Sequence, residues 1–541
     1  MKKYLLVALN SQYIHTNLAV RYIKKYVEEH NDDPQKTVEV YESNINNQLI
    51  NIVRDIYEKS PDVVIFSTYI WNREYVFKII GEMKKIVPGC KIGLGGPEVS
   101  YDSEKVLSEN PEIDFVVKGE GERGVLKMFS QSFENIGGIY NYPMAHDLDE
   151  IPFPYTLEEI MEEKKILYYE SSRGCPFSCS YCLSSADRGI KYFSLERVKR
   201  DLGIFLQSNI KLIKFVDRTF NINRGRYMEI WDYLIKNYRK GITFHFEVNA
   251  NIFDKETLEL LSRVPEGYFQ FEIGVQSVNW ETMESINRRN LLDRLSENIR
   301  KIPKTIHLHL DLIAGLPYET YNLFQNSFNY VYDLKPEMIQ MGFLKILKGT
   351  RMEKEVEQYG YSYTDFAPFE VISNRFITFG ELVKLKEIER VLDFYYNSEK
   401  FQKSLDYIIG NFYNSPFLFF QDIAEYFKEK GYMDIGHKEQ SLYNYLLNFY
   451  ENKKFENRGI FIEYLKFDML KNGKVSSTPQ WLQRKRDEER YNTLIKSKNY
   501  VSVREGHKFS DLESFSYNIL DGTVGEIDIF FDYKNRSVER V

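Results

Sequence analysis

Along the first 140 residues, short β-branched runs alternate with stretches whose apolar positions recur at helical spacing. The runs are Tyr4 to Leu9, Thr37 to Glu42, Asp62 to Ser67, Lys91 to Gly95 and Ile113 to Lys118; amphipathic segments fall near 18–30, 46–59, 72–87 and 102–109, with one more after Gly121. Strands alternating with helices at this spacing predict an α/β domain, a doubly wound parallel sheet covered on both faces. In such a sheet, ligands bind beyond the carboxyl ends of the strands. Three of those ends carry candidate binding residues: Ser67-Thr68-Tyr69, Gly95-Gly96-Pro97-Glu98 and Gly119-Glu120-Gly121-Glu122.

Residues 141–165 hold Pro143, Pro152 and Pro154 without a clear period and read as a linker. A second alternating series follows, with strands at Ile166 to Ser171, Lys211 to Val216, Ile242 to Asn249, Tyr268 to Gln276, Ile306 to Ala314 and Met338 to Leu347. Six strand–helix units across 166–355 are too few for an eight-unit barrel and suit a partial, TIM-like (β/α)6 one. His245, Glu247 and Asn249 share one face of their strand, as do Gln270, Glu272 and Gln276, and His307, His309 and Asp311. The opposite faces are apolar and must receive the helices, so the polar set points inward. An interior of that kind implies an open, wet cavity able to hold a polar ligand. From 356 to 541 the pattern turns mainly helical and aromatic, densest at Phe417 to Phe420, with one strand at Ile527 to Tyr533.

Composition narrows the class. Of 541 residues, 43% are apolar and 28% charged, which excludes disorder. No stretch approaches the roughly 18 apolar residues of a bilayer span, and MKKYLLVALNSQ turns polar too soon for a signal peptide, which points to the cytoplasm. A net charge of −7 argues against nucleic-acid binding through overall basic charge. Arg484, Lys485, Arg486 and Arg490 beside Trp481, after the polar stretch from Ser476 to Pro479, form the one basic run. Asp487, Glu488 and Glu489 interrupt it, so it reads as a solvated helix face.

Three of only four cysteines, Cys175, Cys179 and Cys182, sit within eight positions directly after the first strand of the second series. A disulfide framework would need more cysteines, spread along the chain, so these read as metal ligands. Pro176 discourages helix through the loop and lets three thiolates converge. Three thiolates suit a [4Fe–4S] cluster with one open iron, or zinc awaiting a fourth ligand; the nearest histidines, His146 and His245, are far off.

Cys-x-x-x-Cys-x-aromatic-Cys, with Tyr181 at the aromatic position, resembles the radical S-adenosylmethionine superfamily. The resemblance continues through Phe215-Val216-Asp217-Arg218-Thr219-Phe220-Asn221, Phe246-Glu247-Val248-Asn249, Gly274-Val275-Gln276-Ser277, Asp311 to Glu319 (DLIAGLPYE) and Gly349-Thr350. With its first domain read as flavodoxin-like or Rossmann-like, the chain is similar to the cobalamin-binding branch. Residues 360–541 look like the specific C-terminal region of an uncharacterised subfamily.

The resemblance implies three cofactors: a [4Fe–4S] cluster on Cys175, Cys179 and Cys182, S-adenosylmethionine on its open iron, and cobalamin. It implies Glu247 and Gln276 as partners of the nucleoside, with lumen-filling structure as the alternative, and Gly315 and Leu316 as backbone beside the adenine. Asp217 is a substrate-side acid or the cap of the following helix. Ser67 to Tyr69 and Gly95 to Glu98 would wall the corrin's nucleotide tail. The Asp-x-His-x-x-Gly that supplies a lower axial imidazole elsewhere is absent; His15 falls in that loop with Tyr13 and Leu18 beside it. Cys90 alone cannot build a second cluster, which excludes enzymes with auxiliary clusters.

The expected activity is therefore cleavage of S-adenosylmethionine to methylate or rearrange an unreactive carbon of a small molecule, lipid or natural-product intermediate. Flavodoxin or ferredoxin would serve as electron donor. Radical chemistry without functional cobalamin, and a zinc-stabilised binding protein, are the alternatives.

Overall fold

A computed structural model describes residues 2–143, 147–185, 189–289, 291–475, 479–498 and 500–541. His146 and residues 476–478 of the polar stretch lie outside them. The chain divides into two compact units, Met1–Ser327 with Gly342–Phe379, and Phe328–Met341 with Gly380–Val541. Among the described residues, no helix is long and apolar enough to cross a membrane.

The first unit opens with strands β1 (Lys2–Asn10), β2 (Lys36–Asn44), β3 (Val63–Ser67), β4 (Lys91–Gly95), β5 (Phe115–Gly119) and β6 (Gly138–Tyr142) in the order β2-β1-β3-β4-β5-β6. Every pair is parallel. Alternation along each strand divides the core in two. Leu5, Val7, Leu9, Val64, Phe66, Ile92 and Leu94 pack on one face with Ile52, Ile56, Val76, Ile79 and Ile80 of the helices Leu49–Glu58 and Arg73–Ile86. Tyr4, Leu6, Ala8, Val63, Ile65, Phe115 and Val117 pack on the other with Val20 and Val27 of Leu18–His30 and Val125 and Met128 of Gly121–Phe129. The predicted doubly wound domain is thus observed, with its order reversing between β1 and β3. β6 escaped the pattern because three of its five residues are exposed and Gly137-Gly138 leads into it.

The expected linker is partly built. Residues Leu157–Glu162 form a helix with a capping box between Thr156 and Glu159, and Glu159 pairs with Arg21 at 2.9 Å. Three prolines in this stretch hid the single helical turn. A second sheet follows, from β7 (Leu167–Tyr169), β10 (Leu212–Phe215), β11 (Thr243–Glu247), β12 (Phe269–Gln276) and β13 (His307–Ala314), in sequential order and unclosed; β14 (Met338–Phe343) straddles the border between the two units in sequence. Between β7 and β10 lies a hairpin of β8 (Ser172–Cys175) and β9 (Gly189–Tyr192), which the sequence pattern did not show. Outside the sheet, the buried Trp231 stacks on Phe271 and meets Phe246 edge-on. A short pair, β15 (Ser362–Tyr363) and β16 (Val371–Ser373), completes this unit.

One charge cluster joins the two sheets. Arg173 of β8 reaches Glu120 at 2.9 Å and Glu122 at 2.6 Å, beyond the end of β5, and Glu170 at 2.7 Å. Glu122 and Glu170 are buried, so the guanidinium is the counter-charge that permits them.

The second unit holds the helices Gln402–Phe412, Pro416–Glu429, Glu439–Asn452 and Arg458–Lys471. It ends in an antiparallel sheet of β17 (Ser510–Asn518), β18 (Thr523–Asp532) and β19 (Ser537–Arg540), where one strand was expected. β17 carries buried Asp511 and Glu513, which concealed its alternation. Lys466 and Arg484 pair with Glu513 at 3.1 and 2.5 Å, and Arg484 and Arg486 with Asp511 at 3.0 and 3.1 Å. Arg490 pairs with Asp528, and Trp481 donates to Asn444 at 2.7 Å. The basic run is consequently committed to the sheet, and its first three members precede the helix Glu488–Ser497 instead of lying on it. Asp468 is buried and accepts from the backbone amides of Lys403 and Ser404 at the start of Gln402–Phe412; burial pushes its carboxyl up to about 7.

Two outcomes are expected. Arg173→Met should destabilise the first unit by about 3 kcal/mol or more, because it strands three carboxylates, and adding Glu122→Gln should recover part of the loss; denaturant unfolding measures both. Native Asp468 holds its proton above the unfolded value of about 4, so its contribution is present at low pH and lost as pH rises to about 7. Asp468→Asn should remove that slope from the unfolding midpoint of the second unit measured across pH.

Candidate cofactor sites

Cys175 ends β8, Pro176 follows, and the chain turns back through Cys179, whose carbonyl accepts from the Cys182 amide at 3.1 Å. Ser185 closes the turn by donating its amide and hydroxyl to the Cys182 carbonyl. Two distant segments hold the loop: the Ser180 amide donates to Ile286 O at 3.0 Å, and the Met352 amide to Ser180 O at 2.8 Å. Cys179 is buried and lies within electrostatic range of both Cys175 and Cys182. Among the described residues, no three Cys, His, Asp or Glu side chains stand in a finished metal-binding arrangement. Burial pushes the Cys179 thiol up, and Arg288, with Nη1 3.9 Å from its sulfur, works against that shift. Three thiols beside a guanidinium suit a cluster that carries net negative charge. Arg288 also donates to the Tyr181 hydroxyl at 3.3 Å and to Gly274 O at 2.5 Å, tying the loop to β12.

Asp217 is 1% exposed and accepts from the Ser171 amide and from the hydroxyls of Ser171 and Ser172. It fastens the strand entering the cysteine loop. The capping alternative is not what the chain does: the helix Arg224–Lys236 is capped by Asn223, because the chain runs six further residues past Asp217 before turning helical.

The predicted inward face of the sheet is polar, and its members bond to one another. Glu272 Oε2 lies 2.9 Å from His245 Nε2 and 3.0 Å from Lys214 Nζ, while Gln270 Nε2 lies 2.7 Å from His309 Nε2. Burial alone would raise Glu272, but His245 and Lys214 outweigh it and hold the carboxyl at about 2. Burial and then Glu272 raise Glu247 to about 7, and burial with Glu272 and Glu247 raises Asp311 well above the carboxylate range. Asp311 Oδ1 is buried without a hydrogen-bond partner among the described residues. The hydrogen bonds from His245 and Lys214 thus go to Glu272, while burial and the neighbouring carboxylates outweigh Arg218, Lys214 and Arg288 at the other two. Gln276 is 8% exposed, and its Oε1 has no hydrogen-bond donor among the described residues. Such an oxygen fits a ligand that donates hydrogen bonds, as the amino and hydroxyl groups of S-adenosylmethionine do. The Gly315 carbonyl is occupied, accepting from Tyr361 OH at 3.1 Å and Asn374 Nδ2 at 2.9 Å, and the Leu316 side chain is fully buried.

At the first sheet, the crevice between β1 and β3 is closed by residues the sequence did not single out. Asn72 donates to Leu9 O and Ser67 O, both at 2.9 Å, and Trp71 donates to Leu9 O while stacking on Tyr69 at 4.4 Å. Gly96 has φ of 106°, and a Cβ there would overlap the Thr68 carbonyl, so the turns after β3 and β4 are pressed together. Pro97 starts the short helix Pro97–Ser100, and Glu98 within it is buried, its Oε2 ion-paired with Arg73 Nε at 3.9 Å and without a hydrogen-bond donor among the described residues. A buried carboxyl whose one oxygen lacks a hydrogen-bond donor fits a ligand rich in amides, such as the corrin periphery. Gly119 ends β5, and Glu120 is committed to Arg173. His15 Nδ1 is hydrogen-bonded to the Tyr168 hydroxyl at 2.7 Å.

Comparison with known proteins matches three family models: a B12 binding domain over residues 4–127, the radical SAM superfamily over 169–331, and a protein of unknown function (DUF4080) over 357–527. An uncharacterized methyltransferase of Pyrococcus horikoshii is 25% identical over 70% of this chain and 84% of its own length. The cobalamin-dependent radical SAM methyltransferase TokK of Streptomyces tokunonensis is 24% identical over 56% of this chain, and the hopanoid C-3 methylase of Methylococcus capsulatus 26% over 48%. The chain spans about half the length of these last two, 49% and 55%. Among solved structures, apo OxsB, a cobalamin-dependent S-adenosylmethionine radical enzyme, superposes with a TM-score of 0.59 at 15% identity, covering 87% of this chain and 79% of its own. TsrM from Kitasatospora setae with cobalamin and a [4Fe–4S] cluster bound gives 0.54 at 15% identity, covering 68% and 76%. The cofactors that accompany the matched domains are cobalamin, a [4Fe–4S] cluster and S-adenosylmethionine. With a B12 binding domain, a cysteine-bearing radical SAM domain and a DUF4080 region in sequence, the chain is a radical SAM protein that carries a cobalamin-binding domain, and it is similar to cobalamin-dependent radical SAM methyltransferases.

Proposed function

We propose that this protein transfers a methyl group to an unreactive carbon of a small molecule, lipid or natural-product intermediate, with flavodoxin or ferredoxin as reductant. The observation that carries this reading is the Arg173 clamp, which fastens the cysteine loop to the β5 end of the B12 binding domain within one compact unit. When bound, the cluster supplies the electron that cleaves S-adenosylmethionine and cobalamin supplies the transferable methyl group. The chain's own residues bind and orient. Cys175, Cys179 and Cys182 hold the cluster, and Arg288 offsets its charge. Gln276 and Glu247 offer hydrogen bonds at the strand ends. The turns Ser67 to Tyr69 and Gly95 to Glu98 cradle the corrin. The names of TokK and of the hopanoid methylase support methyl transfer over rearrangement.

Anaerobic reconstitution with iron, sulfide and hydroxocobalamin tests the proposal. The chain should take up about four irons and retain a corrinoid. It should release 5′-deoxyadenosine from S-adenosylmethionine under reduction. Production of 5′-deoxyadenosine by protein that retains no corrinoid would overturn methyl transfer, and one zinc without sulfide would overturn the radical chemistry. Cys179→Ala should bring iron to background without shifting corrinoid uptake, as measured by elemental analysis and visible absorbance.

A further inference from the structure

The segment that follows β10 is held at both ends. The Val216 amide donates to Tyr169 O at 2.8 Å and the Phe220 amide to Glu247 O at 2.9 Å, so residues 216–220 are tied to the ends of β7 and β11. Inside the segment, Asp217 is occupied by Ser171 and Ser172, and Phe220 packs on Phe215 and Phe246. Thr219 donates its hydroxyl to the Arg218 carbonyl at 2.7 Å, and the same oxygen lies 3.9 Å from the Cys175 sulfur. Arg218 is the exception: its side chain is exposed, and among the described residues its guanidinium makes no hydrogen bond and no ion pair.

That charge falls where two candidate sites meet, both within the first unit. Arg218 is within electrostatic range of Tyr69, which stacks on Trp71 at the crevice of the first sheet, and of Glu247 at the end of β11. Neither nearby acid neutralises it. Asp217 is committed to the serines, and burial, then Glu272, raises Glu247 to about 7, leaving it a partial counter-charge. The other arginines around the cysteine loop are all engaged: Arg173 by three carboxylates, Arg226 by the Ser171 carbonyl, and Arg288 by Tyr181 and Gly274. Arginine keeps its charge throughout the physiological pH range, and its planar fork matches the paired oxygens of a carboxylate or phosphate. A cation set by its backbone at this meeting point, with no partner of its own, suits an oxyanion brought by a ligand.

We propose, resting on the methyl transfer inferred above, that Arg218 determines specificity: its guanidinium receives a carboxylate or phosphate group of the molecule to be methylated. The test uses holoprotein reconstituted with iron, sulfide and hydroxocobalamin, its cobalt poised as paramagnetic cob(II)alamin and its cluster oxidised, with S-adenosylmethionine present. The probes are isotopically labelled acetate and methylphosphonate, read by the broadening that the cobalt imposes on their carbon and phosphorus resonances, with labelled methylammonium as the cationic control. At least one anion should broaden saturably in the parent, acetate for a carboxylate site and methylphosphonate for a phosphate site, and methylammonium should not. Arg218→Gln should weaken that binding about tenfold at unchanged iron and corrinoid content, as loss of a charged hydrogen bond does. Arg218→Lys, which keeps the charge without the fork, should fall between them. Arg218→Met replaces Arg218→Gln should the latter not fold, with the same expected and contrary results. Equal broadening in parent and Arg218→Gln, or no broadening of either anion by a parent that retains corrinoid, would overturn the proposal and leave methyl transfer standing. Corrinoid lost from Arg218→Gln alone would assign the guanidinium to the corrin amides and overturn it equally. A parent that retains no corrinoid would overturn both readings.

Discussion

A single guanidinium surrounded by carboxylates governs how the first unit works. Arg173 stands two residues before Cys175 and meets Glu170 of its own segment and Glu120 and Glu122 of the preceding domain. Two of those carboxylates are buried and would be untenable without it. The sulfur-bearing loop and the sheet that receives cobalamin are therefore linked through charges that neither domain could bury alone. The backbone follows suit, with Ile166 N donating to Ile14 O and Thr16 Oγ1 to Ile166 O, each at 2.8 Å.

Electrostatics also sort the lumen. Lys214 and His245 concentrate on Glu272, while burial, and after it the charge fixed on Glu272, raises Glu247 and Asp311. A carboxyl that holds its proton donates as well as accepts hydrogen bonds. The interior expected to be open is instead largely self-paired near the strand starts, with its orphaned oxygens farther along, at Asp311 and Gln276.

What could be read from the sequence was periodic or covalently compact. Alternation of β-branched runs revealed both parallel sheets, and eight consecutive positions gathered the three cysteines of one loop. The unread parts have physical causes. β17 carries Asp511 and Glu513 among its buried residues, so hydrophobicity could not mark it; Lys466, Arg484 and Arg486, from other segments, make that burial tolerable. Arg173 and Arg288 act through partners up to about a hundred positions away, which spacing does not encode. Asp217 was recognisable as important, but its occupation by Ser171 and Ser172 is a property of folded geometry. Trp71 and Asn72 look like ordinary loop residues until the ends of β1 and β3 come together.

The bracing of the Gly315 carbonyl carries a lesson for dissecting this molecule. Its two donors, Tyr361 and Asn374, lie past residue 331, where the radical SAM family model ends, and within the stretch that the DUF4080 model claims from 357. Modules defined by sequence families and modules defined by physical contact thus have different borders. A shortened enzyme, or a chimera bearing a foreign C-terminal half, would have to be spliced beyond Phe379 to keep that peptide group anchored.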